Sequence, residues 1–369
     1  MGEYGLTVGT ADLGWAGPIT FGPEGILFLA DNMAAKVIAV DVADPGPVAG
    51  DGPLDVDDVD VRIGSFLGCD ASDVQIRDIA VHPVSHNVYV SVQRGAGDDG
   101  HAVLVRIGPL DGSITDVPLT NVPLAVATLA DAPAEDDERT DTTLPMGDEG
   151  EEFEIPGQNR KIRILRRQIR TATVTDLAYV DGMLLVAGMS NEEFSSKLRR
   201  IPFPFQAPTA TADNNLEIFH VSHGKWETAA PIRAFVPYEG GTSILASYTC
   251  TPVVHFPLSD LTSGTKTVGR TVAELGAVNQ PLDMVSYRCD GAEYLLVANS
   301  AHGLVKIACA DIDVQTPLTE PTEPVGVARK TEELRGVRRL ANLNDGYVLA
   351  LQVDDAGHHH LRSLKTSAL

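Results

Sequence analysis

Long apolar runs, basic residues and cysteine are all scarce in this chain of 369 residues. No apolar run approaches the roughly 20 residues that a membrane-spanning helix needs, which excludes a protein anchored by such helices. The chain has 28 Lys and Arg against 51 Asp and Glu, a net charge of −23. Binding nucleic acid through its phosphates requires clustered basic residues, and so does binding an anionic membrane surface. We therefore expect no nucleic-acid partner and no membrane span.

The four cysteines, Cys69, Cys250, Cys289 and Cys309, are too few for a disulfide framework and lack the paired spacing of a zinc site. Spacing alone leaves open whether Cys289 and Cys309 form a bond. The first six residues carry neither the basic nor the apolar segment of a secretory signal. On this basis we expect a cytoplasmic protein, or a periplasmic or secreted one if a leader has been removed.

What the chain does have is a repeat of three short apolar segments, found six times. Segments of this length that are rich in Val, Ile, Leu and Tyr and bounded by Gly, Pro, Asn and Asp predict β-strands. The segments are Pro18–Gly25, Ile26–Asp31 and Lys36–Val42; Asp78–Pro83, Val88–Gln93 and Ala102–Ile107; Asp176–Gly182, Met183–Met189 and Lys197–Phe203; Ala234–Tyr238, Ser243–Thr249 and Pro252–Leu258; Asp283–Tyr287, Tyr294–Asn299 and Gly303–Ala308; and Arg339–Leu343, Tyr347–Gln352 and His359–Leu364.

The repeat predicts an all-β protein in which each unit is one antiparallel blade of a β-propeller. A more variable fourth strand completes a blade, with residues 61–66 and 271–275 as examples. We expect six blades, with seven as the alternative, in a single domain that spans residues 1–369. Residues near 5–12 are expected to be the outer strand of the last blade and so to close the ring.

Two stretches, residues 21–30 and 80–90, resemble the propellers of the NHL, YVTN and gluconolactonase-like families. This resemblance implies the fold and leaves the activity open, because one fold hosts many functions. The gluconolactonase-like family holds a divalent ion through an Asn or Asp just before a Gly at the start of an inner strand. The matching positions here carry Arg77, Thr175 and Leu282.

An insertion at residues 131–170 separates the second and third repeats. It begins with an acidic stretch, which we expect to be mobile. It ends in a predicted β-hairpin that sets Phe153 beside Ile162, Glu154 beside Lys161 and Glu152 beside Arg163. An isolated hairpin is marginal in water, so we expect it to pack on the propeller.

The repeat also predicts where a ligand would bind. In an antiparallel blade, the start of the inner strand and the end of the second strand lie at the same face, so these positions converge on one mouth of the central channel. The candidate ligand-binding residues are Asp31, Arg77, Asp78, Gln93, Asp176, Tyr248, Cys250, Asp283, Asn299 and Gln352. Arg94 and Arg339 lie near them in the repeat.

Carboxylate and amide oxygens suit Ca²⁺ or Mg²⁺, and the metal candidates are Asp78, Asp176, Asp283 and Asn299. The alternative is that each Asp caps a turn by accepting backbone hydrogen bonds. The arginines would suit an anionic small molecule better than a cation. The negative charge is concentrated elsewhere, since residues 41–60 and 131–154 carry 18 of the 51 acidic residues.

Histidine offers the remaining chemistry. His302 follows a second strand on the mouth side, and we take it together with Arg339 as the catalytic candidates. The His220 and His223 pair has a spacing that could bind a metal from one loop, although the sequence shows no clear third ligand. Residues 358–360 are three consecutive histidines that could bind a transition metal adventitiously.

Three functions remain open at this point. The first is binding of a small-molecule or peptide-like ligand at the mouth, with or without a divalent metal. The second is a metal-dependent hydrolase, lactonase-like, or a lyase at the same mouth, with His302 or a metal-bound water as the base. The third is a scaffold that binds a protein partner through the insertion at residues 131–170.

Overall fold

The computed structural model describes residues 3–46, 51–95, 100–143, 150–154, 161–206, 209–210, 214–249, 251–261, 265–276, 278–321 and 326–369. The elements of the first part of the chain are β1 (Thr7–Thr10), β2 (Ile19–Phe21), β3 (Ile26–Asp31), β4 (Lys36–Asp41), α1 (Val59–Leu67), β5 (Val74–Val81), β6 (Val88–Arg94), β7 (His101–Ile107), β8 (Ile114–Asp116), β9 (Thr120–Leu129), β10 (Thr140–Thr143), β11 (Glu151–Glu154) and β12 (Lys161–Gln168).

The elements of the middle part are β13 (Asp176–Val180), β14 (Met183–Met189), β15 (Ser196–Pro202), β16 (Thr209–Ala210), β17 (Asn214–His220), β18 (Lys225–Glu227), β19 (Ile232–Tyr238), β20 (Ser243–Tyr248), β21 (Pro252–Pro257), β22 (Thr265–Val268) and β23 (Arg270–Glu274). The last part contains β24 (Pro281–Cys289), β25 (Ala292–Asn299), β26 (Val305–Ala308), α2 (Cys309–Val314), β27 (Arg329–Thr331), β28 (Val337–Asn344), β29 (Tyr347–Val353) and β30 (His359–Lys365).

Each of the six repeats forms its own antiparallel sheet, so the strands predicted from the repeat are confirmed. We number the sheets in chain order. In strand order, the sheets are β2-β3-β4-β9-β1, β5-β6-β7-β8, β13-β14-β15, β19-β20-β21-β23, β24-β25-β26-β27 and β28-β29-β30. The short strand β16, from outside the repeats, joins the first sheet by pairing in parallel with β9. The small strands β17, β18 and β22 form a further sheet beside the third, where the Asn214 side chain donates to the carbonyl of Leu198 at 2.8 Å.

The innermost strands of these sheets contact one another in a circuit, β2 to β5, β28, β24, β19, β13 and back to β2. A buried apolar cluster fills each of the six gaps between neighbouring sheets. Sheets that radiate from a central ring of strands, each packed face to face on the next, define a β-propeller. The core is therefore distributed between the blades rather than concentrated at the centre.

The order of the sheets around the ring departs from their order along the chain. The first sheet lies between the second and the third, and the second lies next to the sixth. After β4 the chain crosses to the outer edge of the sixth sheet and builds the second sheet. It then returns through β9 to complete the first sheet, because β9 pairs with β4.

Closure by the N-terminal strand is a wrong prediction. Strand β1 pairs with β9 at the outer edge of the first sheet, not with the last sheet. The outer edge of β30 is instead covered by the segment before α1, where Val56 and Leu361 exchange backbone hydrogen bonds of 3.0 and 2.9 Å. The sequence pattern that suggested closure marked the edge of a different blade.

The fourth strand predicted at residues 61–66 is also wrong, because this segment lies in helix α1. Its apolar residues alternate as in a strand, but the side chains that become buried are Val59 and Ile63, one helical turn apart. The companion prediction at residues 271–275 is confirmed by β23, which pairs with β21.

The hairpin of the insertion has the register that its charges predict. Phe153 lies opposite Ile162, Glu154 opposite Lys161 and Glu152 opposite Arg163. The acidic stretch before it, expected to be mobile, contains strand β10, which pairs with the second half of β12. Buried Arg199 anchors the start of the insertion, because its Nε donates to Asp131 at 2.8 Å.

Among the described residues, no helix is long and apolar enough to cross a membrane. Cys69, Cys289 and Cys309 are free thiols, so the open question of a Cys289–Cys309 bond is answered in the negative. Cys250 lies outside the described residues.

Candidate functional site

Four of the inner strands carry a β-bulge close to their first residue. The pairing register shifts between residues 76 and 78, 232 and 234, 281 and 283, and 337 and 339. The bulged residues are therefore Arg77, Arg233, Leu282 and Arg338. A bulge re-aims a side chain out of the regular alternation of a strand. All four residues line one cavity at this end of the ring.

This cavity, which we call the arginine mouth, has a volume of about 410 Å³. Its lining includes five arginines and one described acidic residue: Arg77, Arg167, Arg233, Arg338, Arg339 and Asp141. Trp15, Thr175 and Leu282 complete parts of its wall. The mouth is therefore strongly basic, although the protein as a whole is acidic.

Three of these guanidinium groups, those of Arg77, Arg167 and Arg338, have no carboxylate within 4.0 Å in the described part of the chain. Arg77 donates to Gln75 Oε1 at 2.7 Å, and its guanidinium carbon stacks 4.9 Å from the centre of the Trp15 ring. Burial, with the charges of Arg167 and Arg339, lowers the pKa of Arg77 to about 10. Burial and the Arg339 charge likewise lower the pKa of Arg338 to about 10.

The insertion forms one side of the mouth. Arg233 at the start of β19 pairs with buried Asp141 on β10 at 2.5 Å, which holds the insertion against the propeller. Strand β12 contributes Leu165 and Arg167 to the lining. The insertion thus belongs to the cavity wall as well as to the protein surface.

Three buried polar atoms in residues that line the mouth have no hydrogen-bond partner within the described structure. They are Arg77 Nε, Thr175 Oγ1 and Asn32 Oδ1. Buried polar groups are almost always satisfied in folded proteins, and an exception at a cavity commonly reflects a missing ligand or water. These three atoms supply a donor, a hydroxyl and an acceptor.

The three aspartates predicted at the mouth act as clips between neighbouring sheets. Asp78 accepts from the Ile19 N–H at 2.8 Å, Asp176 from Phe235 at 2.7 Å and Asp283 from Leu340 at 2.8 Å. Asp176 and Asp283 also accept from the next residue of their own strand, both at 2.7 Å. Each carboxylate therefore joins two blades through backbone hydrogen bonds. The turn-capping alternative also expected backbone hydrogen bonds to these aspartates, but from a turn rather than from the neighbouring blade.

Each of these aspartates directly follows, in the chain, a residue that lines the arginine mouth. The aspartates themselves line the wide central channel, whose volume is about 1120 Å³. Burial raises the pKa of Asp283 to about 7, with the charge of Asp78 adding to it and Arg339 opposing it. Burial and the charges of Asp283 and Asp78 raise the pKa of Asp176 well above its usual range. Arg339 separates the two cavities, with its Nε 3.5 Å from Asp78 Oδ1 and donating to the carbonyl of Arg77.

The other candidates from the second-strand ends bond to the protein and do not line the mouth. Asp31 accepts from the Gly14 N–H at 2.9 Å and Gln93 from Ala16 at 3.0 Å. Asn299 accepts from Asn279 at 2.8 Å, and Gln352 donates to the carbonyl of Arg335 at 2.8 Å.

Tyr248 is fully buried, and His302 is exposed and lines neither cavity. Ligand or catalytic roles for these residues, and for the residues of the second-strand ends, stay predictions.

Sequence reasoning found Arg77 and Arg339 but missed Trp15, Arg167, Arg233 and Arg338. A signal for two of the missed residues was present. Arg77, Arg233 and Arg338 occupy the same position of the repeat, the residue before or at the start of an inner strand. Nothing in the repeat could place Trp15 and Arg167, because they come from connecting segments.

One further group could hold a metal ion. His220, His223 and Glu227 each offer a ligand atom, and these atoms lie within 4.8 Å of one another. Among the described residues it is the one group of three or more His, Cys, Asp or Glu residues that does so, and it lines neither cavity. The carboxylates of Asp78, Asp176 and Asp283 do not form such a group.

Comparisons with known proteins give no family. No protein-family model and no curated protein sequence matches the chain. Similar solved structures include hydrazine synthase of Kuenenia stuttgartiensis, with 12% identity, 98% of each chain covered and a TM-score of 0.42. They also include the PQQ-bound aldose sugar dehydrogenase of Streptomyces coelicolor, with 12% identity, 98% and 97% coverage and a TM-score of 0.35. Identity and TM-score are too low for the activity of either protein to apply to this chain.

Proposed function

We propose that the chain is a six-bladed β-propeller that binds a small polyanion in the arginine mouth. The observation that carries the proposal is the convergence of five guanidinium groups on a cavity that holds a single described carboxylate. The closed circuit of inner strands supports the blade count, since each of its six members belongs to a different sheet.

The charge of the mouth sets the class of ligand. Asp141 offsets Arg233, and Asp78 lies beside Arg339. Arg77, Arg167 and Arg338 are left without a carboxylate partner within the described residues, so the ligand needs two or more negative charges to balance them. Guanidinium groups bind carboxylate and phosphate oxygens through paired hydrogen bonds, which favours ligands that carry those groups.

The size of the mouth sets an upper limit on the ligand. A volume of about 410 Å³ lies at the lower end of the usual range for small-molecule sites. It suits a di- or tricarboxylate, pyrophosphate or a sugar phosphate. The unpartnered atoms of Asn32 and Thr175 would serve neutral hydroxyl groups of the same ligand.

The same arginines disfavour the alternative of a metal-dependent hydrolase at this mouth. A divalent cation would be repelled by the uncompensated guanidinium groups. The positions that would ligate an ion by family resemblance hold Arg77, Thr175 and Leu282. A protein partner for the insertion remains a separate proposal, and the contribution of β10 and β12 to the mouth gives the insertion a role without one.

The test is a binding experiment with matched probes. Isothermal titration with glucose 6-phosphate and with glucose compares one sugar with and without its charge, and pyrophosphate and citrate extend the panel. We expect at least one polyanion to bind and glucose to fail. Arg338→Gln is expected to weaken binding by about 10- to 100-fold, since a hydrogen bond to a charged group contributes about 1.5–3 kcal/mol.

Arg94→Gln is the matched control, because Arg94 does not line the mouth. It removes the same charge and should leave the affinity nearly unchanged. Equal weakening by both variants would mean that net charge, rather than the mouth, determines binding.

A further inference from the structure

We propose that His220, His223 and Glu227 form a second site, separate from the arginine mouth, that binds Zn²⁺ or a similar divalent first-row transition metal. The site lies on the hairpin formed by β17 and β18. It is independent of the proposed polyanion binding, because none of the three residues lines the mouth.

The hairpin brings the three side chains together. His220 is the last residue of β17 and lies opposite Lys225, while Glu227 lies opposite Ile218. Alternate residues of paired strands share a face, so His220 and Glu227 are diagonal neighbours. His223 reaches the same face from the turn, with its ring centre 3.8 Å from that of His220. Edge-to-face packing of Phe219 on Trp226 on the opposite face braces the hairpin.

The ligand atoms already point at one another. Nδ1 of His220 lies 3.1 Å from one oxygen of Glu227, and Nδ1 of His223 lies 3.0 Å from the other. Two imidazole nitrogens and a carboxylate oxygen are a ligand set typical of zinc, whereas Ca²⁺ and Mg²⁺ prefer oxygen alone. The third ligand that the sequence did not reveal is Glu227, four residues after His223.

A buried carboxylate, that of Glu274, lies on the Nε2 side of the His220 ring. Nε2 of His220 lies 3.8 Å from Glu274 on β23, and both side chains are fully buried. A carboxylate that faces the second nitrogen of a ligating histidine fixes the tautomer and orientation of the ring and raises its basicity. With Nε2 turned toward Glu274, Nδ1 is the nitrogen that faces a metal.

The outer side of the site is open. His223 is 44% exposed, so an ion can enter from solvent and retain a water as its fourth ligand. Lys225 contacts Glu227 at 3.0 Å, but its side chain is 62% exposed. A metal can therefore displace the ammonium group into solvent without breaking the core.

The experiment uses the full chain without a polyhistidine tag, treated with chelator and then titrated with Zn²⁺ by calorimetry. We expect one equivalent to bind. His223→Ala and Glu227→Gln should each weaken binding at least tenfold, and Glu274→Gln should weaken it by about tenfold because it removes the group that orients His220. Circular dichroism checks that each variant is folded. His101→Ala, which removes an exposed histidine elsewhere, is the matched control and should bind as the unmodified protein does.

Co²⁺ provides a second readout, because its visible absorption reports the coordination geometry and should change in His223→Ala. Two results overturn the proposal. One is Zn²⁺ binding that is absent, or unchanged by His223→Ala and Glu227→Gln. The other is loss of binding only in His358→Ala, which would place the metal at residues 358–360, where His358 and His359 face Asp60 at 3.7 and 3.6 Å.

Discussion

The clip formed by Asp283 makes the stability of the propeller depend on pH in a direction opposite to that of most carboxylates. Its two oxygens accept backbone hydrogen bonds from Met284 at 2.7 Å and Leu340 at 2.8 Å. Burial, assisted by the charge of Asp78, raises its pKa to about 7. The protonated carboxyl group is therefore favoured in the folded protein over the unfolded chain.

The sign of the effect follows from proton binding. A carboxyl group whose pKa is higher in the folded state stabilises the fold at low pH, and this contribution is lost as the pH rises through about 7. The rise in the pKa of Asp283 from its ordinary value to about 7 corresponds to at most about 4 kcal/mol of stability. Other carboxylates stabilise the fold as the pH rises and so mask this loss. The contribution of Asp283 must therefore be measured as the difference in stability between the unmodified protein and a variant.

Asp283→Asn isolates it, because asparagine keeps the shape of the side chain and does not titrate. At pH 5 we expect the variant to be less stable by about 1–3 kcal/mol, since its amide group cannot accept both backbone hydrogen bonds. Between pH 5 and 8 this deficit should shrink, because only the unmodified protein ionises a buried group. Urea unfolding at each pH, followed by circular dichroism, measures the difference.

The control is Asp12→Asn, which removes one exposed negative charge. Its stability difference from the unmodified protein should stay nearly constant over the same range. If the difference for Asp283→Asn is equally constant, the carboxyl group does not change its ionisation on folding in this range and the reasoning is refuted.

Three further predictions concern other parts of the molecule. Arg199→Met should lower the free energy of unfolding by about 3–5 kcal/mol in urea, because it removes the buried guanidinium group that pairs with the buried Asp131 carboxylate; a loss below 1 kcal/mol would contradict this. Val56→Pro should cost about 3 kcal/mol in the same assay, because it removes the N–H that bonds to Leu361 at the outer edge of the sixth sheet; an unchanged midpoint would mean that this edge contact does not stabilise the fold. Polyanion affinity measured by titration calorimetry should be nearly constant from pH 7 to 9 and fall above the pKa of about 10 of Arg77, where cationic charge is lost; a steep fall between pH 7 and 8 would argue against guanidinium groups as the binding residues.

Much of the fold could be predicted because strands and turns leave local signals. The repeat located the inner strand of each of the six sheets that surround the channel, and the charges of the insertion fixed the pairing of Phe153 with Ile162. Local signals carry no information on which edge a strand joins. For this reason the position of β1, the crossing of residues 54–57 to the sixth sheet and the helix at Val59–Leu67 were not predicted.

The candidate site was predictable only in part. The repeat brought Arg77, Asp78 and Arg339 to the same end of the ring, as the structure does. It did not indicate that a β-bulge directs the side chains of two consecutive residues into different cavities. Arg77 faces the mouth, whereas Asp78 turns to the channel and clips two blades. A bulge depends on the pairing of two strands, which a single strand's sequence does not encode.

The most direct test of polyanion binding is a crystal structure of the protein with the tightest-binding anion of the panel. We expect the anion inside the arginine mouth, a cavity of about 410 Å³, with its oxygens bonded to the guanidinium groups of Arg77 and Arg338. An anion bound elsewhere on the surface, with the mouth filled only by water, would contradict it.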